Sequence, residues 1–483
     1  MADTKHPSLF QSFVPLIFLV GLLGMNVAFY ADDSLGGANQ MALLLSAGVA
    51  AIVALLIGQK WGNLFDGVIS SIGSALPALI ILLMIGALAG TWLISGVVPA
   101  MIYYGLEILN PTIFLFATCI ICSIVSLATG SSWTTVATVG VALMGIGRIL
   151  GFSDGMIAGA IISGAYFGDK MSPLSDTTNL APAMAGTDLI THIKHMMWTT
   201  FPSITIAALI FLVLGFTSSS GADLEGVQSL QTAIGSKFNI SLWLFLVPLA
   251  VIGLIVKKVP AVPALLAGAI LGGVFAIVLQ PDIILGLASE GSSFSKAAYM
   301  AVIDSMTTDV AIESGNAVAN ELLSSGGMNG MLGTIWLIIC AMTFGGIMEA
   351  SGMLDRIAQT ILHLAKSTGS LIASTAGTCL VFNVTASDQY LAIVVPGRMF
   401  AKEYEKRGLA PENLSRTLED SGTVTSALVP WNTCGAYHAG VLGVATGTYL
   451  PFAFFNIISP MMTILFGFMG WKVNGLKKKN APS

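Results

Sequence analysis

Long apolar runs separated by short polar stretches recur along most of the chain. The first two cover residues 13–30 and 41–58, and each approaches the roughly 20 residues that a helix needs to cross a hydrocarbon core. Only 9% of the 483 residues are charged, whereas about 25% is usual in soluble domains. Because lipid offers no partner to backbone groups, such runs must be helical. The chain is therefore predicted to be an all-α polytopic membrane protein.

One polar run breaks this pattern between residues 164 and 182. It contains Asp169 and Asp176 among hydroxyl and amide side chains, and Pro173 together with flanking glycines disfavours a continuous helix. Irregular backbone at membrane depth is tolerated only where it is buried in protein or lines a wet cavity. We therefore expect residues 154–185 to form a re-entrant hairpin that turns at Pro173.

The same order of features occurs twice, displaced by 256–257 residues. In each half an apolar span is followed by a span broken at Thr and Ser residues, then by a polar hairpin with a Pro turn, then by a final span. Residues 129–131 correspond to residues 385–387, and Pro173 corresponds to Pro430. With an odd number of crossings per half, the second half is inverted relative to the first, as in many secondary transporters. We predict two inverted-topology repeats, each with a broken transmembrane helix and a re-entrant hairpin.

A Ser- and Gly-rich stretch separates the two predicted repeats. Residues 1–217 are assigned to the first membrane repeat, residues 218–239 to a polar inter-repeat loop, and residues 240–483 to the second membrane repeat. Most Lys and Arg residues fall on one side in this scheme, which places both termini in the cytoplasm. The basic loop 398–416 departs from that rule, and the acidic stretch 296–321 receives no role.

Intramembrane carboxylates are costly, so each one calls for a functional reason. The repeat would let five carboxylates face one cavity, where hydroxyl, amide and carboxylate oxygens suit a hard cation. The predicted ion- or substrate-binding residues are Asp169, Ser172, Asp176, Thr177, Thr178, Asn179, Thr129, Ser131, Ser132, Thr385, Ser387, Asp388, Glu419, Asp420, Asn432 and Thr433. Sodium itself is predicted at Asp176, Asp388, Thr129 and Thr385. Because a proton and a cation each neutralise a carboxylate, they compete for it, and the loading of one expels the other.

The plainer alternatives for these residues remain open at this point. Hydroxyls at helix breaks often serve packing alone, and Asp154, Asp188 and Asp355 are assigned to the headgroup region. Lys170 is expected either to neutralise the adjacent Asp169 or to extend towards the interface. His438 stays open as a site residue.

Several other functions are disfavoured by what the sequence lacks. It contains neither a GxxxxGK[ST] nucleotide motif nor an HExxH metalloprotease motif, and its five histidines are scattered. A basic face large enough for nucleic acid is also missing. We therefore expect no enzymatic activity and no cofactor beyond the transported ions.

The run Gly168-Asp169-Lys170-Met171-Ser172-Pro173-Leu174-Ser175-Asp176-Thr177-Thr178-Asn179-Leu180-Ala181 resembles the signature of the NhaC family of Na⁺/H⁺ antiporters. Residues 128–133 and 420–422 extend the resemblance. It implies exchange of Na⁺, and of Li⁺ as a further candidate, for H⁺ across a bacterial cell (inner) membrane. The wider family includes MleN-like malate/lactate antiporters, so a Na⁺- or H⁺-coupled exchanger of small organic anions is the alternative. The implied partners are Na⁺, H⁺ and the lipid bilayer, and a homodimer stays open.

Overall fold

All the regular secondary structure in the described part of the first half is helical. The computed structural model describes residues 7–30, 37–108, 110–218, 224–288 and 293–476. The helices of the first half are α1 Leu9–Tyr30, α2 Ala38–Leu56, α3 Trp61–Ile94, α4 Val97–Ile108, α5 Phe114–Thr129, α6 Ser132–Thr135, α7 Val141–Ile149, α8 Asp154–Met171, α9 Asp176–Ala185 and α10 Leu189–Ser218. A short 3₁₀ turn, Pro111–Ile113, precedes α5, and a π-helical turn, Val136–Gly140, joins α6 to α7.

The second half is also helical, apart from one small strand pair. Its helices are α11 Leu224–Lys237, α12 Leu246–Val256, α13 Ala261–Leu279, α14 Pro281–Leu287, α15 Phe294–Thr307, α16 Ala317–Leu322, α17 Leu332–Ala350, α18 Met353–Leu362, α19 Thr368–Thr385, α20 Leu391–Lys406, α21 Pro411–Leu418, α22 Thr433–Leu442, α23 Thr446–Tyr449 and α24 Phe454–Met469. β1 Val310–Ala311 pairs antiparallel with β2 Ser324–Ser325. A π-helical turn, Glu419–Thr423, and 3₁₀ turns at Leu242–Phe245, Asn329–Met331, Ser426–Leu428 and Leu450–Phe452 complete the order.

The prediction of a multi-pass helical membrane protein is confirmed. Within the described residues, seven helices are long and apolar enough to cross a membrane. Two further pairs of helices qualify if each bent pair counts as one span, with bends of 86° near residue 240 and 57° at Ala453. Large apolar side chains such as Phe29 and Ile52 point outwards, as expected for surfaces that face lipid.

Three segments have structure that the sequence prediction did not include. Residues Leu189–Ser218 form the single helix α10, because Pro202 is accommodated inside it. The predicted polar loop contains the helix α11, whose residues Leu230 and Ile234 recur at a helical interval and are buried; residues 219–223 lie outside the described residues. The unassigned acidic stretch holds α15, α16 and the strand pair.

Helix boundaries in the two halves recur at a nearly constant offset. Helix α8 starts at Asp154 and α21 starts at Pro411, 257 residues later. The next helices, α9 at Asp176–Ala185 and α22 at Thr433–Leu442, keep the same offset at both ends. Each of these two helices ends at a glycine with a left-handed backbone.

Equivalent hydrogen bonds join each broken helix to the pair of helices that follows it, α8 and α9 (the first hairpin) or α21 and α22 (the second hairpin). In the first half Ser126 Oγ donates to the carbonyl oxygen of Ala165 at 2.6 Å. In the second half Asn383 Nδ2 donates to the carbonyl oxygen of Gly422 at 2.7 Å. Both donors and both acceptors are separated by 257 residues, so the two halves share contacts as well as helix boundaries.

Helix α3 crosses the core where glycines permit backbone contact. A Cβ added at Gly90 would lie 1.7 Å from the carbonyl oxygen of Ser305 on α15. At Gly86 the added atom would lie 2.3 Å from the carbonyl oxygen of Gly327. The hydrophobic effect does not drive helices together within lipid, because lipid tails are as apolar as the helix surfaces. Small residues at such crossings promote association instead, because they let the backbones pack closely.

Candidate functional site

The first helix break lies between α5 and α6. Helix α5 ends at Gly130, whose φ of 70° is left-handed and therefore accessible to glycine at little cost. Ser131 begins the next helix by accepting a hydrogen bond from the backbone N–H of Thr134. The break thereby places Thr129 and Ser131, two hydroxyl-bearing residues named from the sequence, on either side of Gly130.

Asp169, on the last turn of α8, closes this break. Its Oδ2 accepts hydrogen bonds from both the backbone N–H (3.1 Å) and the hydroxyl (2.6 Å) of Ser132. Ser132 is the first residue of α6, so the carboxylate sits at a helix N-terminus, where negative charge is favoured. Only 8% of Asp169 is exposed.

The second break lies between α19 and α20 and is built in the same way. Ser387 has a φ of 59°, an uncommon conformation for a residue with a side chain. Asp388 Oδ1 then accepts a hydrogen bond from the backbone N–H of Leu391 at 2.9 Å, so it caps the entering helix. Asp388 lies 257 positions after Ser131, the residue that caps the first break.

The two hairpin turns are also matched. Ser175 caps α9, and Asn432 caps α22 by accepting a hydrogen bond from the backbone N–H of Cys434 at 3.0 Å. The backbone N–H of Thr433 donates to the carbonyl oxygen of Ser387 at 3.0 Å, which joins the second hairpin to the second break. Both helix N-termini are thus brought to the breaks, where their dipoles and polar side chains converge.

A single cavity of about 830 Å³ opens between these elements. Eight of the predicted site residues line it: Thr129, Ser131, Asp169, Asp176, Thr177, Asn179, Asp388 and Thr433. Both halves contribute. Asp176 differs from the other two carboxylates in being exposed rather than buried. The convergence therefore brings three carboxylates to one space.

Two predicted carboxylates lie outside the lining of this cavity. Glu419 is fully buried, and its Oε1 accepts a hydrogen bond at 3.0 Å from the hydroxyl of Thr177, which does line the cavity. Asp420 is paired with Lys170, and it also accepts a hydrogen bond from Thr199 Oγ1 at 2.8 Å. The expectation that all five carboxylates face the cavity is therefore wrong for these two, because the π-helical turn that carries them packs against α9, α10 and α24.

Lys170 has a different partner from the one expected. The sequence suggested the adjacent Asp169 or the interface, yet Lys170 is wholly buried and reaches Asp420 and Ser459. Neighbouring residues on a helix point in different directions, so Lys170 and Asp169 face different surroundings. Lys170 therefore ties the first hairpin to the second.

The remaining predicted site residues do not line the cavity, and all of them except Ser387 make side-chain hydrogen bonds. Thr178 donates to the carbonyl oxygen of Lys170, and Thr385 donates to that of Val381. Ser172 accepts a bond from the backbone N–H of Leu174. The Ser387 hydroxyl is buried and makes no hydrogen bond in the described part of the chain. Sodium was predicted at Thr385, but its hydroxyl lies off the cavity.

Sequence reasoning missed several residues of the cavity wall. The ring of Trp133 stacks on Tyr437 with 3.8 Å between centroids, and Tyr437 Oη donates to the carbonyl oxygen of Trp133 at 2.9 Å. Lys258, from the loop between α12 and α13, also lines the cavity and has a φ of 63°. The left-handed backbone of Lys258 has no sequence signal. Trp133 belongs to the run 128–133 that extends the family resemblance, but it was not predicted as a site residue.

Among the described residues, no group of three or more His, Cys, Asp or Glu side chains is arranged to hold a metal ion. The polar groups converge instead at two helix breaks within a helical membrane protein. Irregular backbone lining a cavity between helix termini is the arrangement of secondary transporters. Fold and site together define that class of protein.

Comparison with known proteins identifies the family. The model described as "Na+/H+ antiporter family" matches residues 164–471, and the chain belongs to this family. The Na⁺/H⁺ antiporter NhaC of Alkalihalophilus pseudofirmus is 40% identical over 422 residues, which cover 87% of this chain and 88% of that protein. These findings confirm the resemblance noted in the sequence.

Relatives of similar identity have names that indicate other substrates. The malate-2H⁺/Na⁺-lactate antiporter of Bacillus subtilis is 37% identical, over 97% of this chain and 96% of that protein. The arginine/ornithine antiporter ArcD of Halobacterium salinarum is 36% identical, over 97% of this chain and 93% of that protein. All three relatives are named as antiporters rather than as enzymes.

Proposed function

We propose that the protein exchanges Na⁺ for H⁺ across a bacterial cell membrane, and that Li⁺ replaces Na⁺. The observation that carries this proposal is the convergence of Asp169, Asp176 and Asp388 on one cavity at two helix breaks. The exchange requires no cofactor beyond the transported ions. The family supports the same pair of ions.

The charge of the cavity wall supports a cationic substrate. The described lining contains three carboxylates and one ammonium group, that of Lys258. A concave site with excess charge of one sign concentrates ions of the opposite sign. Because Na⁺ and H⁺ each neutralise a carboxylate, the occupancy of one ion displaces the other, which is the requirement for antiport.

Glu419 provides a further carboxylate behind the wall. One hydroxyl, that of Thr177, separates it from the cavity, and its Oε2 has no hydrogen-bond partner among the described residues. We propose that Glu419 participates in exchange as an enclosed carboxylate reached through Thr177. A Glu419→Gln variant should then exchange ions more slowly while it remains folded.

We further propose that the two halves are inverted repeats whose hairpins are re-entrant. The recurrence of helix boundaries and of the Ser126 and Asn383 bonds at one offset supports this arrangement. An inverted pair places both breaks near mid-membrane, where access can alternate between the two sides. The scheme places both termini in the cytoplasm. Cysteine labelling from each side of intact cells tests it.

Everted membrane vesicles test the exchange directly. A respiration-driven pH gradient should collapse on addition of Na⁺ or Li⁺. We expect Asp169→Asn and Asp388→Asn each to slow the collapse at least about tenfold, since each carboxylate accepts a hydrogen bond and such a bond to a charged group is worth about 1.5–3 kcal/mol. Asp176→Asn, which removes a negative charge from the cavity wall, should slow the collapse as well. Asp154→Asn is the matched control, because this carboxylate pairs with Arg148 away from the cavity. Wild-type exchange in all three cavity variants would exclude these carboxylates from the mechanism.

The size of the cavity favours one second candidate, the exchange of small organic ions. A volume of about 830 Å³ falls within the roughly 300–1,000 Å³ of typical organic-ligand pockets. Named relatives carry malate and lactate, or arginine and ornithine. Proteoliposomes loaded with Na⁺ should then accumulate labelled malate, lactate or arginine. Failure of all of these, with Na⁺/H⁺ exchange intact, would leave the cation antiporter alone.

A further inference from the structure

A short segment after α24 crosses back over the second hairpin. This strap, residues 470–476, runs antiparallel beside residues 408–413. Leu409 and Gly475 form a β-bridge, and the backbone N–H of Leu476 donates to the carbonyl oxygen of Gly408 at 2.8 Å. The strap is thereby joined to the chain just before α21, the first helix of the second hairpin.

Asn413, on the first turn of α21, makes a two-way bond with the strap. Its Nδ2 donates to the carbonyl oxygen of Asn474 at 2.7 Å, and its Oδ1 accepts from the backbone N–H of Asn474 at 3.0 Å. The side chain of Asn474 in turn donates to Glu412 Oε1 at 2.9 Å. Asn413 is fully buried while Asn474 is exposed, so the two bonds to the Asn474 backbone are partly shielded from water.

Arg416, one turn further along α21, carries a charge that the strap encloses. The residue is fully buried, and its Nη1 donates to the carbonyl oxygen of Lys472 at 2.9 Å. Its Nε and Nη2 have no partner, and none of the ion pairs in the described part of the chain includes it. A buried charge without a partner is costly, so the strap carbonyl is an important contact for it.

The strap also contacts α10, which lies beside the second hairpin. The ammonium group of Lys472 lies 3.9 Å from the centroid of the Trp198 ring. Asn474 Nδ2 lies 3.5 Å from Nδ1 of His195. The strap therefore bridges α10 and α21, two helices that also pack against each other directly.

We propose that Asn413 and Arg416 are positioning residues, which hold the second hairpin in register through the strap. Helix α21 continues through the π-helical turn to the hairpin turn, where Thr433 lines the cavity. Movement of α21 relative to α10 would therefore displace Thr433 and the part of the cavity wall that it forms. The inference rests on the proposed exchange function.

The first test separates positioning from simple anchoring. In Asn413→Ala, the Na⁺ concentration for half-maximal exchange should rise about three- to tenfold, the factor that one net hydrogen bond represents. The maximal rate per folded molecule should stay unchanged. Lys406→Ala, at an exposed ion pair in the same region, is the control and should change neither value. A fall in maximal rate with an unchanged half-saturating concentration would overturn the proposal.

An engineered disulfide between residues 409 and 475, the lock, gives a reversible rescue of the Asn413→Ala variant. Bridged residues on antiparallel strands lie about 4.5–5.5 Å apart, within the range that a disulfide spans. A Cβ at Gly475 meets only the carbonyl oxygen of Gly408, at 3.6 Å, so a cysteine fits there. Adding Leu409→Cys and Gly475→Cys to the Asn413→Ala variant should restore wild-type Na⁺ affinity when oxidised and lose it again when reduced. Equal affinity in both redox states would contradict the proposal.

Hydrogen–deuterium exchange gives a readout that requires no substrate. The amides of α21 should exchange faster in Asn413→Ala and in Arg416→Met than in the wild type, and the oxidised lock should slow the exchange again. If the wild type carries no Na⁺ but the amides respond as expected, the proposed ion exchange fails and the strap's hold on α21 stands. If the amides of α21 are unaffected, the positioning role fails, whatever ion is transported.

Discussion

The buried ion pair between Lys170 and Asp420 gives the sharpest prediction about stability. Both side chains are fully inaccessible, and the pair joins a hairpin of the first half to a hairpin of the second. Lys170→Met removes the ammonium group and keeps the length of the side chain. Asp420→Asn removes the negative charge and keeps the shape of the carboxylate.

The two single variants should differ in cost. Removing one partner of a buried pair costs about 3–5 kcal/mol, because the other charge is left buried. In Lys170→Met, Asp420 keeps its hydrogen bonds from Thr199 (2.8 Å) and Ser459 (3.3 Å), so we expect a loss near about 3 kcal/mol. In Asp420→Asn, the ammonium group keeps its hydrogen bond to Ser459 as the remaining one within the described residues, so the loss should approach about 5 kcal/mol.

The double variant decides whether the charges are coupled. Lys170→Met with Asp420→Asn leaves neither member of this pair charged, so the double variant should be more stable than Asp420→Asn alone. The expected coupling is about 3 kcal/mol, at the upper end for residues in contact. Equilibrium unfolding in mixed detergent micelles measures each free energy of unfolding. If the two single losses add to within about 0.5 kcal/mol in the double variant, the reasoning is refuted.

Two smaller changes probe packing and the cavity wall. Gly90→Ala should lower the free energy of unfolding by about 1–3 kcal/mol or more, since its Cβ would overlap the carbonyl oxygen of Ser305. Gly48→Ala, where nothing lies within 4 Å, should be neutral or stabilising by up to about 1 kcal/mol, and similar thermal shifts in the two variants would contradict this account. Tyr437→Phe should cost about 1 kcal/mol through loss of its bond to Trp133, measured by chemical denaturation, whereas a neutral result would mean that water replaces the hydroxyl.

The helix breaks and turns could be predicted from sequence because their causes are local. Gly130 supplies a left-handed backbone, and Pro173 disfavours helical backbone at the preceding residue, Ser172, which is extended. The hydroxyl-rich residues beside them follow the same logic, since their side chains cap the helices that begin there. Eight of the predicted site residues accordingly line the cavity.

The partners of the buried charges could not be predicted in the same way. Lys170 was expected either to neutralise Asp169 or to extend towards the interface, yet it pairs with Asp420, a residue 250 positions away. That pairing depends on the position of α8 along the π-helical turn of the second hairpin. The same packing keeps Glu419 out of the cavity lining, with Thr177 between Glu419 and the cavity.

The sequence by itself determined that this protein is a bundle of membrane helices interrupted twice by polar, capped breaks. It did so because apolar length, glycine, proline and capping residues act within a few positions of the chain. Only the tertiary structure decided which carboxylates share a cavity, which one pairs with a lysine, and that a strap encloses Arg416. Those outcomes depend on contacts between segments far apart in the chain, from 56 positions for Arg416 and Lys472 to 250 positions for Lys170 and Asp420. Tertiary packing sets such contacts, and no local pattern in the sequence specifies them.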